Sequence, residues 1–272
     1  MVEEKALELK AQATPTATKL LLDAARKIDL SAIKSVYLVY CPTTSFKGTG
    51  FLTHENQVVT CRHVIKGEDP TKIVLRSAMG ETYGVKAKTE DPGRDMAVLS
   101  PINDLGPGLE IADTDLSRVG ERIWTWGFPL GYNGPAPLLS VGYLSGYSHH
   151  SDPPDYPQGT KHYVVNGAFN PGNSGGPVFC ERDEKVVGVV ASKHAPLSKF
   201  VASALTALAN NASGIVFTGW DEKGAEKNYV ESQVVAEVLE YYRSLTQVMI
   251  GEAIAVSELS SFTETLRKKT IA

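Results

Sequence analysis

Residues 169–193 read FNPGNSGGPVFCERDEKVVGVVASK. The segment opens on the turn Asn170-Pro171-Gly172-Asn173-Ser174-Gly175-Gly176-Pro177 and runs into an apolar stretch, 186–191, of strand length. Glycines on both sides of a serine let the backbone turn tightly and approach another molecule closely. Successive N–H groups in such a turn converge into an anion-binding concavity. A hydroxyl beside that concavity suits attack on a carbonyl, because donors stand ready for the developing oxyanion. Taken alone, the same turn also fits a serine that only bonds locally.

Outward from this segment, glycine and proline divide the chain. The middle, 31–227, holds all but one of the 24 glycines and all but one of the 15 prolines. Both residues disfavour helix interiors and favour turns, so the middle reads as strands joined by many turns. β-rich runs recur at 36–41, 50–60 around the turn His54-Glu55-Asn56, 72–77, 122–128, 138–147, 162–169, 185–192 and 214–220. No helical pattern alternates with them, so a doubly wound α/β sheet is excluded, and one helix is expected at 197–208. The ends read as helical extensions, 1–30 and 228–272. Leu21, Ala24, Ala25 and Ile28 share one helix face, as do Val234, Val238, Tyr241, Leu245 and Val248. Such faces serve either as packing surfaces or as contacts for a homo-oligomer or regulatory partner.

The chain has 272 residues, is 42% hydrophobic and 21% charged, and has a net charge of −4, which is ordinary globular composition. No basic stripe invites nucleic acid and no apolar run reaches membrane length, so neither partner is expected. Three cysteines argue against a disulfide framework, and MVEEKALELK lacks the layout of a secretory signal. A cytoplasmic location is the expectation from these features.

A nucleophilic serine needs a base, and the base an orienting group. Among six histidines, His63 ends the apolar run Val58-Val59-Thr60-Cys61, where packing would fix its imidazole. Asp95 precedes the apolar run Met96-Ala97-Val98-Leu99 and is suited to accept the imidazole Nδ1–H. Gly172-Asn173-Ser174-Gly175-Gly176 also satisfies the G-x-S-x-G elbow, which requires an acid and then a histidine after the serine on an α/β fold. Only His194 follows Ser174, behind acids crowded into 181–184, so order and fold class exclude the elbow. The order His63, Asp95, Ser174 is that of the chymotrypsin type.

On these residues the middle region resembles the trypsin-like (chymotrypsin-fold) serine proteases, in the style of the HtrA/Deg protease domain. The matching segments, in family order, are GTGFLTHENQVVTCRHVI, GRDMAVLS, RVGERIWTWGFPLGYNGPAPLLSVGYLSG and FNPGNSGGPVFCERDEKVVGVVASK. The resemblance implies an all-β core of two antiparallel six-stranded β-barrels within 31–227, with the active site between them. It implies Ser174 as nucleophile, His63 as general base and then acid, Asp95 as orienter, and the N–H groups of Gly172 and Ser174 as oxyanion hole. It places the floor of the primary pocket at Ala168 and the substrate-pairing strand at Ala191, Ser192 and Lys193. A small uncharged floor favours cleavage after small or medium apolar residues.

Departures from the pattern carry information. Asn173 stands where secreted digestive members have an aspartate that pairs with a cleaved N-terminus, so that kind of activation is not expected. Val64 replaces their cysteine after the histidine, and Cys61 and Cys180 read as buried small side chains. The residues after 220 read as helix, so no PDZ domain is expected among them. The expected function is a serine endopeptidase acting on protein or peptide without cofactor or metal. A latent or non-catalytic relative on the same fold is the alternative. The loop 148–160, with three prolines, is expected to be a surface segment that orders on activation.

Overall fold

The structure, a computed structural model, describes residues 16–115, 118–132, 134–150, 159–193, 199–220, 225–245 and 250–271. The chain divides into two units, Met1–His194 with Val248–Ala272, and Ala195–Gln247.

The first described elements are two helices, α1 (Thr16–Ala24) and α2 (Lys27–Ser35). Of the face expected at Leu21, Ala24, Ala25 and Ile28, three residues pack against the core together with Leu22, while Ala24 is exposed, and the break between α1 and α2 means that they do not share one helix. Thr18 Oγ1 donates to Ala78 O, and the Trp126 indole N–H donates to the buried Asp29 carboxylate at 3.0 Å. Six strands follow: β1 (Val36–Cys41), β2 (Phe46–Leu52), β3 (Val58–Cys61), β4 (Val74–Ser77), β5 (Thr82–Asp91) and β6 (Met96–Pro101). They close an antiparallel barrel in the order β1-β2-β3-β6-β5-β4. A four-residue helix, α3 (Arg62–Ile65), interrupts the chain after β3. Phe51, Leu52, Val59, Leu75 and Leu99 are enclosed in its core. Enclosing each such side chain stabilises by about 1.5–3 kcal/mol before entropy is subtracted.

The second barrel is built from β7 (Arg122–Gly127), β8 (Leu138–His150), β9 (Thr160–Gly167), β10 (Pro177–Cys180), β11 (Asp183–Lys193) and a strand from much further along the chain. The second unit intervenes first. It comprises α4 (Lys199–Asn210), the two-stranded hairpin of β12 (Val216–Trp220) and β13 (Glu226–Val230), and α5 (Glu231–Leu245). Then β14 (Ile250–Ala255) pairs with β11 on one side and β9 on the other, closing the barrel in the order β10-β11-β14-β9-β8-β7. The last element is α6 (Val256–Ile271).

The all-β core of two six-stranded barrels is therefore as expected, but two boundaries are not. The stretch 228–272 is not a helical extension throughout, because β14 lies within it. The run 214–220 is a strand, yet it pairs only with β13 in the second unit and belongs to neither barrel. For β14 the physical reason is its context. IGEAIA has neither the alternation nor the β-branched content of a free-standing strand, and only the gap between β11 and β9 makes it one. Of the helix face expected at 234–248, Val248 lies outside the described residues, as does most of the loop 148–160. No described helix is long and apolar enough to cross a membrane.

Candidate active site

His63 owes its place to α3. Val64 and Ile65 are buried against the first barrel, which turns the His63 side chain outward, 44% exposed. Asp95 closes the turn between β5 and β6. There the Asp91 carboxylate accepts the N–H groups of Gly93 and Arg94, at 3.0 and 3.1 Å. Asp95 itself has φ +53°, a left-handed conformation in which non-glycine residues are uncommon. Its carbonyl accepts the Arg62 N–H, its Oδ1 accepts the His63 N–H at 2.9 Å, and its Oδ2 lies 2.6 Å from His63 Nδ1. Both carboxylate oxygens thus engage one histidine. A carboxylate only accepts, so the Nδ1 position carries the proton and Nε2 is left as the basic nitrogen.

The serine turn sits at the seam between the barrels. Gly172 and Gly175 have φ +92° and +86°. A Cβ on Gly175 would run into Thr49 O and Thr60 Oγ1, and one on Gly172 into Phe128 O. Thr49 of β2 stitches the turn to the first barrel. Its N–H donates to Ser174 O at 2.9 Å, its hydroxyl donates to Gly172 O at 2.7 Å, and the same oxygen accepts the Phe128 N–H. Gly175 N–H donates to Val190 O, the carbonyl that also accepts the Cys61 thiol, two residues before His63. Among the described residues no acceptor engages the N–H of Gly172 or of Ser174. Asn173 is fully buried beneath the turn beside Gly127, and neither atom of its amide has a partner among the described residues. An uncharged side chain is the form that such a dry position tolerates best.

The Ser174 hydroxyl donates to Ala191 O at 3.0 Å, and no hydrogen bond joins it to His63 among the described residues. The structure thus brings His63, Asp95, Gly172, Ser174 and Ala191 to one seam. Ala168 lies half-buried just past β9, next to Phe169, whose ring lies over Gly251 of β14. The backbones of Ser192 and Lys193 continue β11, in register with Glu252 and Gly251. All three cysteines are free and buried. Cys61 Sγ comes within 4.8 Å of ligand atoms of His63 and Asp95, the one such three-residue grouping among the described residues. Burial first, and then the Asp95 charge, hold its thiol well above the ordinary range, which opposes the thiolate that a metal would require.

Sequence reading missed the residues that hold this arrangement in place. Thr49 is a threonine between two glycines, with no signal of its own. Arg94 and Glu258 lie far apart in the chain but meet at 2.9 Å. Only the quoted Gly-Arg-Asp segment put Arg94 near the site at all.

Comparison with known proteins gives a consistent result. The chain is similar to relatives named as DegP-like periplasmic serine endoproteases. One, from Marinomonas sp., is 31% identical over 143 residues, covering 52% of this chain and 29% of the relative. Another, from Chlamydia pneumoniae, is 32% identical over 148 residues, covering 53% and 28%. The chain spans about a third or less of the length of the curated relatives it matches. Among solved structures, an inactive form of Rv3671c from M. tuberculosis H37Rv superimposes with a TM-score of 0.57 at 16% identity, covering 92% of each chain. The HtrA-type protease AlgW with a decapeptide gives 0.58 at 16% identity, covering 89% of this chain and 66% of that one. These two likenesses are of fold. The relatives' names overturn the expectation of a cytoplasmic location, because they point to the periplasm. Cysteine count was a poor guide to compartment here, since thiols sealed in a core are shielded from oxidation wherever the protein resides. A family model described as the trypsin-like peptidase domain matches residues 48–189, more than half of the chain, and the protein belongs to that family.

Proposed function

We propose that this protein is a serine endopeptidase that cleaves protein or peptide substrates through an acyl-enzyme. The observation that carries the reading is the grip of Asp95 on His63 by both carboxylate oxygens. It leaves Nε2 as a base at the seam that holds the Ser174 hydroxyl and two N–H groups that no acceptor engages among the described residues.

The steps follow from those positions. The Ser174 hydroxyl leaves Ala191 O and turns to His63 Nε2. Oγ attacks the scissile carbonyl as its proton passes to Nε2. The resulting oxyanion accepts from the N–H groups of Gly172 and Ser174, and each such donor is worth about 3–4 kcal/mol of barrier. Collapse expels the amine, which takes the proton from Nε2 and leaves the acyl chain on Oγ as an ester. Water then attacks that ester, His63 again accepting the proton, and the acid departs as Oγ regains its own. Asp95 stays ionised throughout and keeps the tautomer. The substrate backbone pairs along Ala191, Ser192 and Lys193. Ala168 floors a pocket with no charge for a basic side chain, which favours small or medium apolar residues before the cleaved bond.

Labelling with a fluorophosphonate probe tests this reading. Wild type is expected to label, and Ser174→Ala and His63→Ala to lose labelling; loss of the nucleophile costs on the order of 10⁶ in kcat. A peptide-library digest of the same preparation reads the pocket, and cleavage after Arg or Lys overturns that part. The bond from Ser174 to Ala191 O favours a second reading, a latent site held in a resting rotamer. Folded wild type that fails to label while its peptide binding persists would support it.

A further inference from the structure

The turn that carries Asp95 is held from the other barrel. The Arg94 guanidinium lies between two carboxylates: Nη1 donates to Asp91 Oδ2 at 2.7 Å and Nε to Glu258 Oε2 at 2.9 Å. All three side chains are only about 15% exposed. Asp91 belongs to the same turn. Glu258 does not: it is the third residue of α6, which begins directly after β14 closes the second barrel. Its other oxygen, Oε1, accepts the Lys161 N–H of β9 at 3.1 Å, and Thr160 Oγ1 of β9 donates to Gly93 O at 3.1 Å. Thus β9 and α6 hold two consecutive residues, Gly93 and Arg94, immediately before Asp95.

Asp95 needs such a grip. Its φ of +53° is a conformation that costs an L-residue free energy, and it persists only where surrounding bonds over-determine it. Inside the turn, Asp91 supplies two bonds to backbone N–H groups. From outside, Glu258 supplies a charged contact to the turn. A guanidinium is suited to this role, because its planar fork fixes two directions at once, one along the turn and one across to α6.

We propose that Arg94 and Glu258 are positioning residues: the second barrel and its following helix hold the Asp95 carboxylate at His63 through this ion pair. The proposal rests on the protease reading above. It makes the orienter of one barrel conditional on correct closure of the other by β14, so that an incompletely closed second barrel yields a poorly oriented His63. Neither residue touches substrate or reacting atoms.

The test compares Glu258→Gln and Arg94→Gln, their double variant, and Arg94→Lys. A control, Arg182→Gln, breaks the Arg182–Glu121 pair elsewhere on the second barrel. Three quantities are read: fluorophosphonate labelling rate, thermal midpoint, and the low-field proton NMR signal of His63 Nδ1–H hydrogen-bonded to a carboxylate. In either Gln variant the labelling rate is expected to fall about ten- to a hundredfold, as for a small misplacement of a catalytic group. The Nδ1–H signal is expected to shift or vanish, the double variant to be no worse than the singles, and Arg94→Lys to fall between. Arg182→Gln is expected to keep rate and signal. Retention of wild-type rate and signal in folded Glu258→Gln or Arg94→Lys overturns the proposal, as does loss equal to that of the control. Absence of both labelling and signal in the wild type would instead remove the protease reading, and this one with it.

Discussion

A methyl group at Gly175 would meet the Thr49 carbonyl and the Thr60 hydroxyl, in a turn whose φ of +86° already excludes most side chains. Both oxygens are fixed by the first barrel, since Thr60 Oγ1 donates to Thr49 O at 2.7 Å, so neither yields cheaply. Gly175→Ala is expected to cost more than about 2 kcal/mol of stability, from left-handed strain and collision together. Gly146→Ala is the comparison, because a Cβ there meets nothing within 4 Å; it is expected to stay within about 0.5 kcal/mol of wild type. Denaturant midpoints measured at constant slope decide the matter. An equal effect at the two positions would mean that Gly175 is not held as described. Gly175, Ser174 and His63 were legible as residues because their chemistry is local: a glycine-flanked hydroxyl, an imidazole ending a strand. Thr49 was not, because the three bonds that tie it to Ser174, Gly172 and Phe128 are all to residues distant in sequence.

At the scale of elements, α6 depends on a carboxylate that it does not contain. Asp115, from the segment before β7, accepts the Ser257 N–H and the Tyr163 hydroxyl with Oδ1, at 3.0 and 3.1 Å. Its Oδ2 accepts the Ser257 hydroxyl at 3.0 Å and Lys161 Nζ at 2.8 Å. Burial pushes this carboxyl's pKa up, but the bonds from Lys161 and Ser257 and the Lys161 charge outweigh it, and the net direction is down. A carboxyl lowered by folding stabilises above its unfolded pKa, and that stabilisation is lost as pH falls through the folded value. Asp115→Asn is therefore expected to cost about 2 kcal/mol at neutral pH, in line with hydrogen bonds to a charged group. The difference from wild type is expected to shrink as pH drops below the ordinary carboxylate range. Thermal melts from pH 7 down to pH 3 would show it, and a difference independent of pH would sink the assignment. Leu21, Ala25 and Ile28 were legible as packing residues because apolar spacing is a local signal, but the break between α1 and α2 was not. Nor was the anchor of α2, Asp29 on the Trp126 indole.

At the scale of the molecule, the second unit is an insertion between two strands that already pair. Lys193 and Gly251 are register partners in β11 and β14, so the chain leaves and re-enters the barrel at adjacent points. Joining Lys193 to Gly251 through a short glycine-containing turn is expected to leave both barrels folded, with one cooperative melt by circular dichroism. Ending the chain at residue 247 removes β14 and α6, opens the second barrel along β11 and β9, and is expected to abolish that melt. If the internal deletion unfolds and the truncation does not, the closure by β14 is wrong.

The order of histidine, aspartate and glycine-flanked serine, with the strand-and-turn rhythm of 31–227, carried a resemblance to the trypsin-like serine proteases, and that resemblance implied two barrels with the candidate residues between them. Those signals are carried by neighbours in the chain: a glycine tolerates a positive φ, and an apolar run buries a face, whatever lies elsewhere. The pairing of β14, the insertion between β11 and β14, and the hold of Thr49, Arg94 and Glu258 on the site were not readable in that way. Each depends on which residues meet across the barrel seam. IGEAIA becomes a strand only because two edges await it, and Glu258 meets Arg94 only because that strand delivers α6 to the turn that carries Asp95.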